Sequence, residues 1–317
     1  MVALLISIFF TEKSGDALRK YTLIADNEVA SDLVLTDVND RIAIMFVGDM
    51  MFDRYIRQVS RKKGSKFLFQ ESRSVLQDQD MVVGNLEGPI TNNVSLSEGS
   101  EPGSENNYVF TFPPDTAKNL FDENIRLVNI GNNHILNFGE NGVNSTKKYL
   151  MEAGVDFFGD PLGKERIFLK ELRGLRIAFV NYNQFFRNGK QRALNDLRRA
   201  RELSADFIVV YAHWGVEYAD KLNEKSREMA YEFIDNGADF IVGSHPHVVQ
   251  TKEEYKGKII YYSLGNFVFD QYFDAHTKNG LAVRVEFDRK KNVNVKEIPL
   301  VMKSNGQTII QSSLGNF

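Results

Sequence analysis

Asp206-Phe207-Ile208-Val209-Val210-Tyr211-Ala212-His213 and Asp239-Phe240-Ile241-Val242-Gly243-Ser244-His245-Pro246-His247 are two apolar runs of one design. Each is too short for an ordinary helix, is rich in β-branched and aromatic residues, and reaches histidine. Each therefore reads as a buried strand that delivers a polar group at its C-terminal end. The design recurs along the chain. Ile42-Ala43-Ile44-Met45-Phe46-Val47 runs into Gly48-Asp49, Met81-Val82-Val83 into Gly84-Asn85, and Arg126-Leu127-Val128-Asn129-Ile130 into Gly131-Asn132-Asn133-His134. Further on, Lys258-Ile259-Ile260-Tyr261-Tyr262-Ser263 runs into Leu264-Gly265-Asn266. Amphipathic stretches at 66–79, 116–123, 142–153, 191–203 and 223–236 fall between the runs and predict helices. Strands alternating with helices predict an α/β fold. Segments 166–172 and 175–182 flank Arg173-Gly174, and 281–287 and 293–299 flank a charged turn, so two hairpins are expected and the sheets should be mixed.

Composition narrows the function. The 317 residues are 43% hydrophobic and 26% charged, which is the profile of a folded globular chain rather than a disordered or multi-span one. A net charge of −3 gives no electrostatic case for a nucleic-acid partner. The absence of cysteine removes thiolate metal sites, cysteine nucleophiles and disulfide scaffolds together. Any metal must be held by His, Asp, Glu or Asn.

Residues 1–40 stand apart from the rest. Met1 to Phe10 (MVALLISIFF) has a single polar member, yet a spanning helix needs about 20 apolar residues. No Lys or Arg precedes it, as a signal peptide would require. We read it as a truncated export or anchor segment, followed by a polar connector over 11–40 and one domain over 41–317. An anchor would place that domain on the extracytoplasmic side of the membrane; otherwise the chain is cytoplasmic.

Chemistry concentrates at the strand ends, the edge where α/β sheets bind ligands. Singly, each residue there has an ordinary explanation. An Asp after a strand is usually a helix cap, and a lone histidine is usually structural. Jointly, Asp49, Glu87, Asn133, His134, His213, His245 and His247 form a set that packing alone does not produce. Imidazole with carboxylate suits Mn²⁺, Zn²⁺ or Fe²⁺, one ion or a bridged pair. A histidine left over could protonate a leaving group. Neither a Gly-x-Ser-x-Gly elbow nor a phosphate loop is present. The polar loop 92–107, just after Gly88-Pro89, is placed to lie over such a site.

Six segments at these positions, in order over about residues 41–272, resemble the CapA-type family of poly-gamma-glutamate capsule biosynthesis proteins, part of the calcineurin-like metallophosphoesterase superfamily. They are Gly48-Asp49-Met50-Met51-Phe52-Asp53-Arg54, Asn85-Leu86-Glu87-Gly88-Pro89-Ile90-Thr91, Asn132-Asn133-His134, His213-Trp214-Gly215-Val216-Glu217-Tyr218, Gly243-Ser244-His245-Pro246-His247-Val248-Val249-Gln250 and Tyr262-Ser263-Leu264-Gly265-Asn266-Phe267-Val268-Phe269. The resemblance implies a four-layer αββα sandwich of mixed sheets. It implies Asp49, Asn133, His213, His245 and His247 as metal ligands and His134 as the histidine that meets the substrate. Arg54, Asn85 and Asn266 are implied on the substrate side.

Two positions depart from the wider superfamily but agree with the CapA-type pattern. Met51 stands where Asp-x-His has its histidine, and Asn85 stands where a bridging Asp is usual, leaving Glu87 to bridge. Asn137 replaces an Asp common in the family. Three functions follow from this reading. The chain acts on an anionic polymer in poly-gamma-glutamate synthesis or export, is a free-standing phosphoesterase, or is a non-enzymatic partner of membrane synthase subunits. Arginine and lysine at 57, 61–63 and 66, and at 192, 198, 199 and 201, could guide a polyanion, but a solvated helix face is the simpler explanation.

Overall fold

The computed structural model describes residues 41–163, 166–288 and 292–311. The segment 1–10 and the connector 11–40 lie outside them. The first half contains β1 (Ile42–Met50), α1 (Arg54–Lys63), α2 (Arg73–Gln77), β2 (Met81–Leu86), α3 (Asp115–Asp122), β3 (Ile125–Asn129), α4 (Gly139–Ala153) and β4 (Asp156–Phe158). Next come β5 (Ile167–Leu172), β6 (Leu175–Asn183), α5 (Gly189–Glu202), β7 (Phe207–His213), α6 (Glu224–Asp235), β8 (Phe240–Ser244), β9 (Lys252–Tyr255) and β10 (Lys258–Tyr261). The chain then returns to the first sheet through β11 (Asn266–Val268), α7 (Ala275–Lys278), β12 (Asn279–Phe287), β13 (Val293–Met302) and β14 (Thr308–Ile310).

Among the described residues these strands form two mixed sheets. One runs β14-β13-β12-β1-β2-β3-β4, with β11 also paired to β1; the other runs β5-β6-β7-β8-β10-β9. The strands that carry the polar ends, β1, β2, β3 and β11 in one sheet and β7 and β8 in the other, are parallel to their neighbours in that set. Within each sheet the C-terminal ends of β1, β2 and β3, and of β7 and β8, therefore emerge on one edge, and Asn266, the first residue of β11, pairs with Asp49 there. Both expected hairpins are antiparallel pairs, β5 with β6 and β12 with β13.

The period-two alternation of strand side chains sorts the core into layers. Ile42, Ile44 and Phe46 of β1 meet Phe179, Tyr211 and Phe240 of the opposite sheet in a central core. Met45 and Val47, on the other face, pack with Ile56, Leu120, Val143 and Leu150 of the helices outside the first sheet. Val180, Ile208 and Ile241 pack outward against Leu197, Ala230 and Phe233 of α5 and α6. The order helix, sheet, sheet, helix is the expected four-layer sandwich. Full burial of each large apolar side chain contributes about 1.5–3 kcal/mol.

Two glycines allow the site end to close. A Cβ on Gly48 would lie 1.9 Å from the Gly265 carbonyl oxygen, and one on Gly243 would lie 1.9 Å from that of Tyr262. Each stands just before site residues, so backbone contact fixes where those residues emerge.

The segment 66–79 is not the single helix its pattern predicts. A 3-10 turn at Ser65–Phe69 precedes α2, and the break follows from Ser72, whose hydroxyl donates to the Phe69 carbonyl at 3.3 Å. Helix α1 escapes the pattern because only Ile56 and Val59 are buried on it. No helix among the described residues is long and apolar enough to cross a membrane.

Candidate metal centre

Asp49 and Asn85 are register partners on β1 and β2, and Asn266 pairs with Asp49 from β11 on the other side. All three are fully buried. Asp49 Oδ1 accepts from the Asn85 amide at 2.8 Å, and Oδ2 accepts from the His245 backbone N–H at 3.0 Å. His247 Nδ1 is 3.4 Å from the same Oδ2. Burial works to raise the Asp49 carboxyl, but His247, the His245 N–H and the Asn85 amide outweigh it and hold the group below its usual range.

Glu87, just past β2, meets the opposite situation. It is fully buried, its Oε2 has only a 3.4 Å contact to the Asn85 amide, and its Oε1 has no hydrogen-bond partner. Burial and then repulsion from Asp49 push its carboxyl well above the usual range. The nearest ring nitrogens are Nε2 of His247 at 3.6 Å and Nε2 of His213 at 3.9 Å.

The second sheet supplies the imidazoles. His213 ends β7, with Nδ1 2.9 Å from the Ser244 hydroxyl and Nε2 2.8 Å from Asn133 Oδ1. His245 and His247 follow β8 with left-handed backbones, φ +95° and +59°. Such angles cost a non-glycine residue about 1–3 kcal/mol, so the turn around Pro246 is held by its surroundings. Burial, then the neighbouring histidines, pushes His213 well below the ordinary imidazole value, and the same causes take His245 down to about 3. Both are neutral at pH 7, the state a metal ligand needs.

His134 and Asn133 sit on the turn after β3. That turn is fixed by Asn132, whose Oδ1 accepts the N–H groups of His134 and Ile135 at 3.1 and 3.0 Å, while its amide donates to Asn85 Oδ1 at 3.1 Å. The His134 ring packs on Phe110 with centroids 4.4 Å apart. Its Nδ1 lies 3.1 Å from the Tyr108 carbonyl and 3.3 Å from Asn137 Oδ1, two acceptors that assign the proton to Nδ1. Burial, then His247, lowers its pKa to about 4.

The structure thus brings Asp49, Glu87, Asn133, His213, His245 and His247 together, with His134 at the rim. Asn85 and Asn266 lie within the cluster's supports. Asn266 Oδ1 contacts His247 Nδ1 at 2.9 Å, and its amide donates to Gln271, His247 and Thr277. Arg54 is at the mouth but engaged: it forks onto Asp270, reaches Asn107 Oδ1 at 3.3 Å, and lies over Phe110 and Phe269. Arg57 and Arg61 are likewise held, by Asp53 and Glu98. Met51 is buried with its sulfur 2.9 Å from the Asp53 N–H.

A cavity of about 540 Å³ opens beside the cluster, lined in part by Arg54, Tyr108, Tyr218 and Asp270. Ser97, Ser100 and Asn107 of the loop 92–107 form one wall of it. Glu217 was not singled out by sequence because it lies four residues beyond the strand end, although it stands inside a family-like segment. Asn129, Asn132 and Asp270 were missed for a different reason: they act on other residues rather than on a ligand.

Three overlapping triads have ligand atoms within 4.8 Å of one another: Glu87, His213 and His245; Asp49, Glu87 and His247; and Glu217, His245 and His247. Glu87 Oε1 and His245 Nδ1 are buried without partners. Leaving such groups unsatisfied costs about 1–3 kcal/mol each, which a coordinated cation would offset. The donors are carboxylate, imidazole and amide oxygen, a set that fits a borderline or hard divalent ion.

The family model described as bacterial capsule synthesis protein PGA_cap matches residues 43–271. A curated relative from Bacillus subtilis (strain 168), named PGA biosynthesis protein CapA, is 31% identical over 276 residues, covering 82% of this chain and 70% of that protein. The capsule biosynthesis protein CapA of Bacillus anthracis is 28% identical over 296 residues, covering 87% and 71%. A probable polyglutamine synthesis accessory protein of Mycobacterium tuberculosis (strain CDC 1551 / Oshkosh) is 25% identical over 252 residues, covering 68% and 65%.

Proposed function

This chain belongs to the bacterial capsule synthesis protein family, and from that premise we propose that it serves poly-gamma-glutamate capsule biosynthesis as a metal-dependent hydrolase or transferase on the anionic polymer. The observation that carries the proposal is the partnerless pair Glu87 Oε1 and His245 Nδ1, buried inside a cluster of six donors. Asp49, Glu87, Asn133, His213, His245 and His247 would hold one or two ions of manganese, zinc or iron, with Glu87 common to two of the triads. A divalent ion bound there supplies Lewis-acid activation of a water or a substrate oxygen.

The remaining residues have separable tasks in this reading. With Nδ1–H donated to Tyr108 and Asn137, His134 offers Nε2 as its proton-moving atom. Neutral at rest, its Nε2 would take the proton released by the attacking water or hydroxyl as the anionic substrate raises its basicity, and would return that proton to the leaving atom as its bond breaks. Asn85 and Asn266 orient Asp49 and His247 rather than touching substrate, because their amides are spent on protein acceptors. Arg54 meets substrate at the mouth if Asp270 yields its place. The apolar run Met1 to Phe10 supports a membrane-attached, extracytoplasmic location alongside synthase subunits.

The test pairs elemental analysis of chelator-free protein with assays on poly-gamma-glutamate and on a generic phosphodiester. Metal with polymer cleavage or transfer is expected. Turnover of the phosphodiester alone would replace this reading with a free-standing phosphoesterase. Metal without any turnover, even with the synthase present, would favour an accessory role, the word used in the name of the mycobacterial relative.

A further inference from the structure

Glu217 lies on the loop after β7, half-buried, and makes no hydrogen bond or ion pair among the described residues. The loop that carries it is clamped against the histidine turn. The Tyr218 N–H donates to the Pro246 carbonyl at 2.8 Å, and the Trp214 N–H donates to that of Ser244 at 3.2 Å. Gly215 exchanges two bonds with the Gln184 side chain, at 2.7 and 2.9 Å. Gly215 at φ +93°, a conformation open to glycine, and Tyr218 at φ +61°, which costs a non-glycine residue, bracket Glu217, so the held loop fixes where its carboxylate sits. A solvated surface glutamate needs none of this.

The ligand oxygen of Glu217 and one ring nitrogen each of His245 and His247 fall within 4.8 Å of one another. Donors about 2.0–2.2 Å from a shared ion are at most about 4.4 Å apart, so contraction by a few tenths of an ångström would suffice. The three triads interlock: Glu87, His245 and His247 each belong to two of them, so Glu217 joins a connected cluster and not a separate patch. His245 Nδ1, buried and unpartnered, is the observation that independently asks for a cation here. Three carboxylates converge, and the nearby cation Arg54 is committed to Asp270.

We propose that Glu217 is a direct metal ligand, closing the solvent-facing side of the centre with His245 and His247; the assignment rests on the metal reading above. It would give the site an anionic donor from the second sheet, whose other donors are neutral imidazoles. The first-motif histidine position is occupied by Met51, so the extra donor comes from a loop instead.

The experiment uses the full chain, stripped of metal, as wild type, Glu217→Gln, Glu217→Ala and the reference Asp49→Ala. Each is titrated with Mn²⁺ by calorimetry, counted by elemental mass spectrometry, and melted without metal. Both Glu217 variants should melt at or above the wild-type temperature and lose about tenfold or more in Mn²⁺ affinity for at least one ion. Wild-type affinity and stoichiometry in the Gln variant, with binding lost in Asp49→Ala, would overturn the Glu217 assignment and leave the centre standing. A wild type that binds neither manganese, zinc nor iron would overturn the centre itself and Glu217's role with it.

Discussion

The two ends of the sandwich use the same residue types and treat them differently. At the N-terminal strand ends, Asp80, Asp206 and Asp239 precede β2, β7 and β8. Asp80 accepts the Ala43 N–H at 2.8 Å and pairs with Arg173 at 2.5 Å. Asp206 accepts the Arg176 N–H at 2.8 Å, and Asp239 accepts the Ile208 N–H at 3.0 Å while pairing with Lys258 at 2.8 Å. Each of these three carboxylates is satisfied by the chain. At the C-terminal ends, Asp49 is saturated, but Glu87 and His245 keep buried atoms without partners. One end is arranged for stability; the other gives up stability to keep donors available for a ligand.

The largest effect that could break this contrast is the double variant Asp49→Ala/His245→Ala. It should lose manganese and zinc binding by more than about 100-fold in a calorimetric titration, and parental affinity would sink the metal reading. Next, His134→Ala should lower turnover by about 10²–10⁴-fold while elemental analysis finds its metal intact. Loss of metal, or unchanged turnover, would refute the role given to His134.

Glu87→Gln probes the contrast from the stability side. Removing a buried carboxylate whose Oε1 has no partner should stabilise the metal-free chain by about 1–3 kcal/mol in denaturant unfolding at neutral pH, even as metal binding fails. The sign is testable with pH. Because the folded Glu87 carboxyl is held above its unfolded value, the native state binds the proton first as pH falls. Metal-free wild type should therefore gain stability relative to Glu87→Gln as pH drops from the raised folded value toward about 4.5. A gap that stays constant across that window would remove the claim.

At the opposite end the order reverses. Asp239→Ala leaves the buried Ile208 N–H unpaired and should cost about 1–3 kcal/mol with no change in metal content. Arg173→Ala removes a partly exposed ion pair and should cost less than about 1 kcal/mol. A metal defect from either would mean that the two ends are not independent.

How far the sequence carried the site depends on how each residue acts. Asp49, His213, His245 and His247 were legible because they end or follow apolar strands, and Glu87 because it stands two residues after the departure at Asn85. Glu217 was hidden four residues along a loop, where spacing says nothing about direction. The resemblance implies Arg54 on the substrate side, but Asp270, 216 residues away, engages it. The helix pattern at 66–79 failed because a side-chain hydroxyl at Ser72 captured a backbone carbonyl.

The sequence by itself determined the layers and their polar edge. Period-two alternation decides which face of a strand is buried, and a polar residue at the end of an apolar run has to emerge where the strand does. Only the tertiary structure decided which of those polar groups are saturated and which are left open. That depends on distances between segments from two different sheets, such as the His245 N–H that satisfies Asp49 from 196 residues away. Local pattern carries no information about such meetings, and it is the unmet partners of Glu87 and His245, inside a cluster of possible ligands, that support the metal reading.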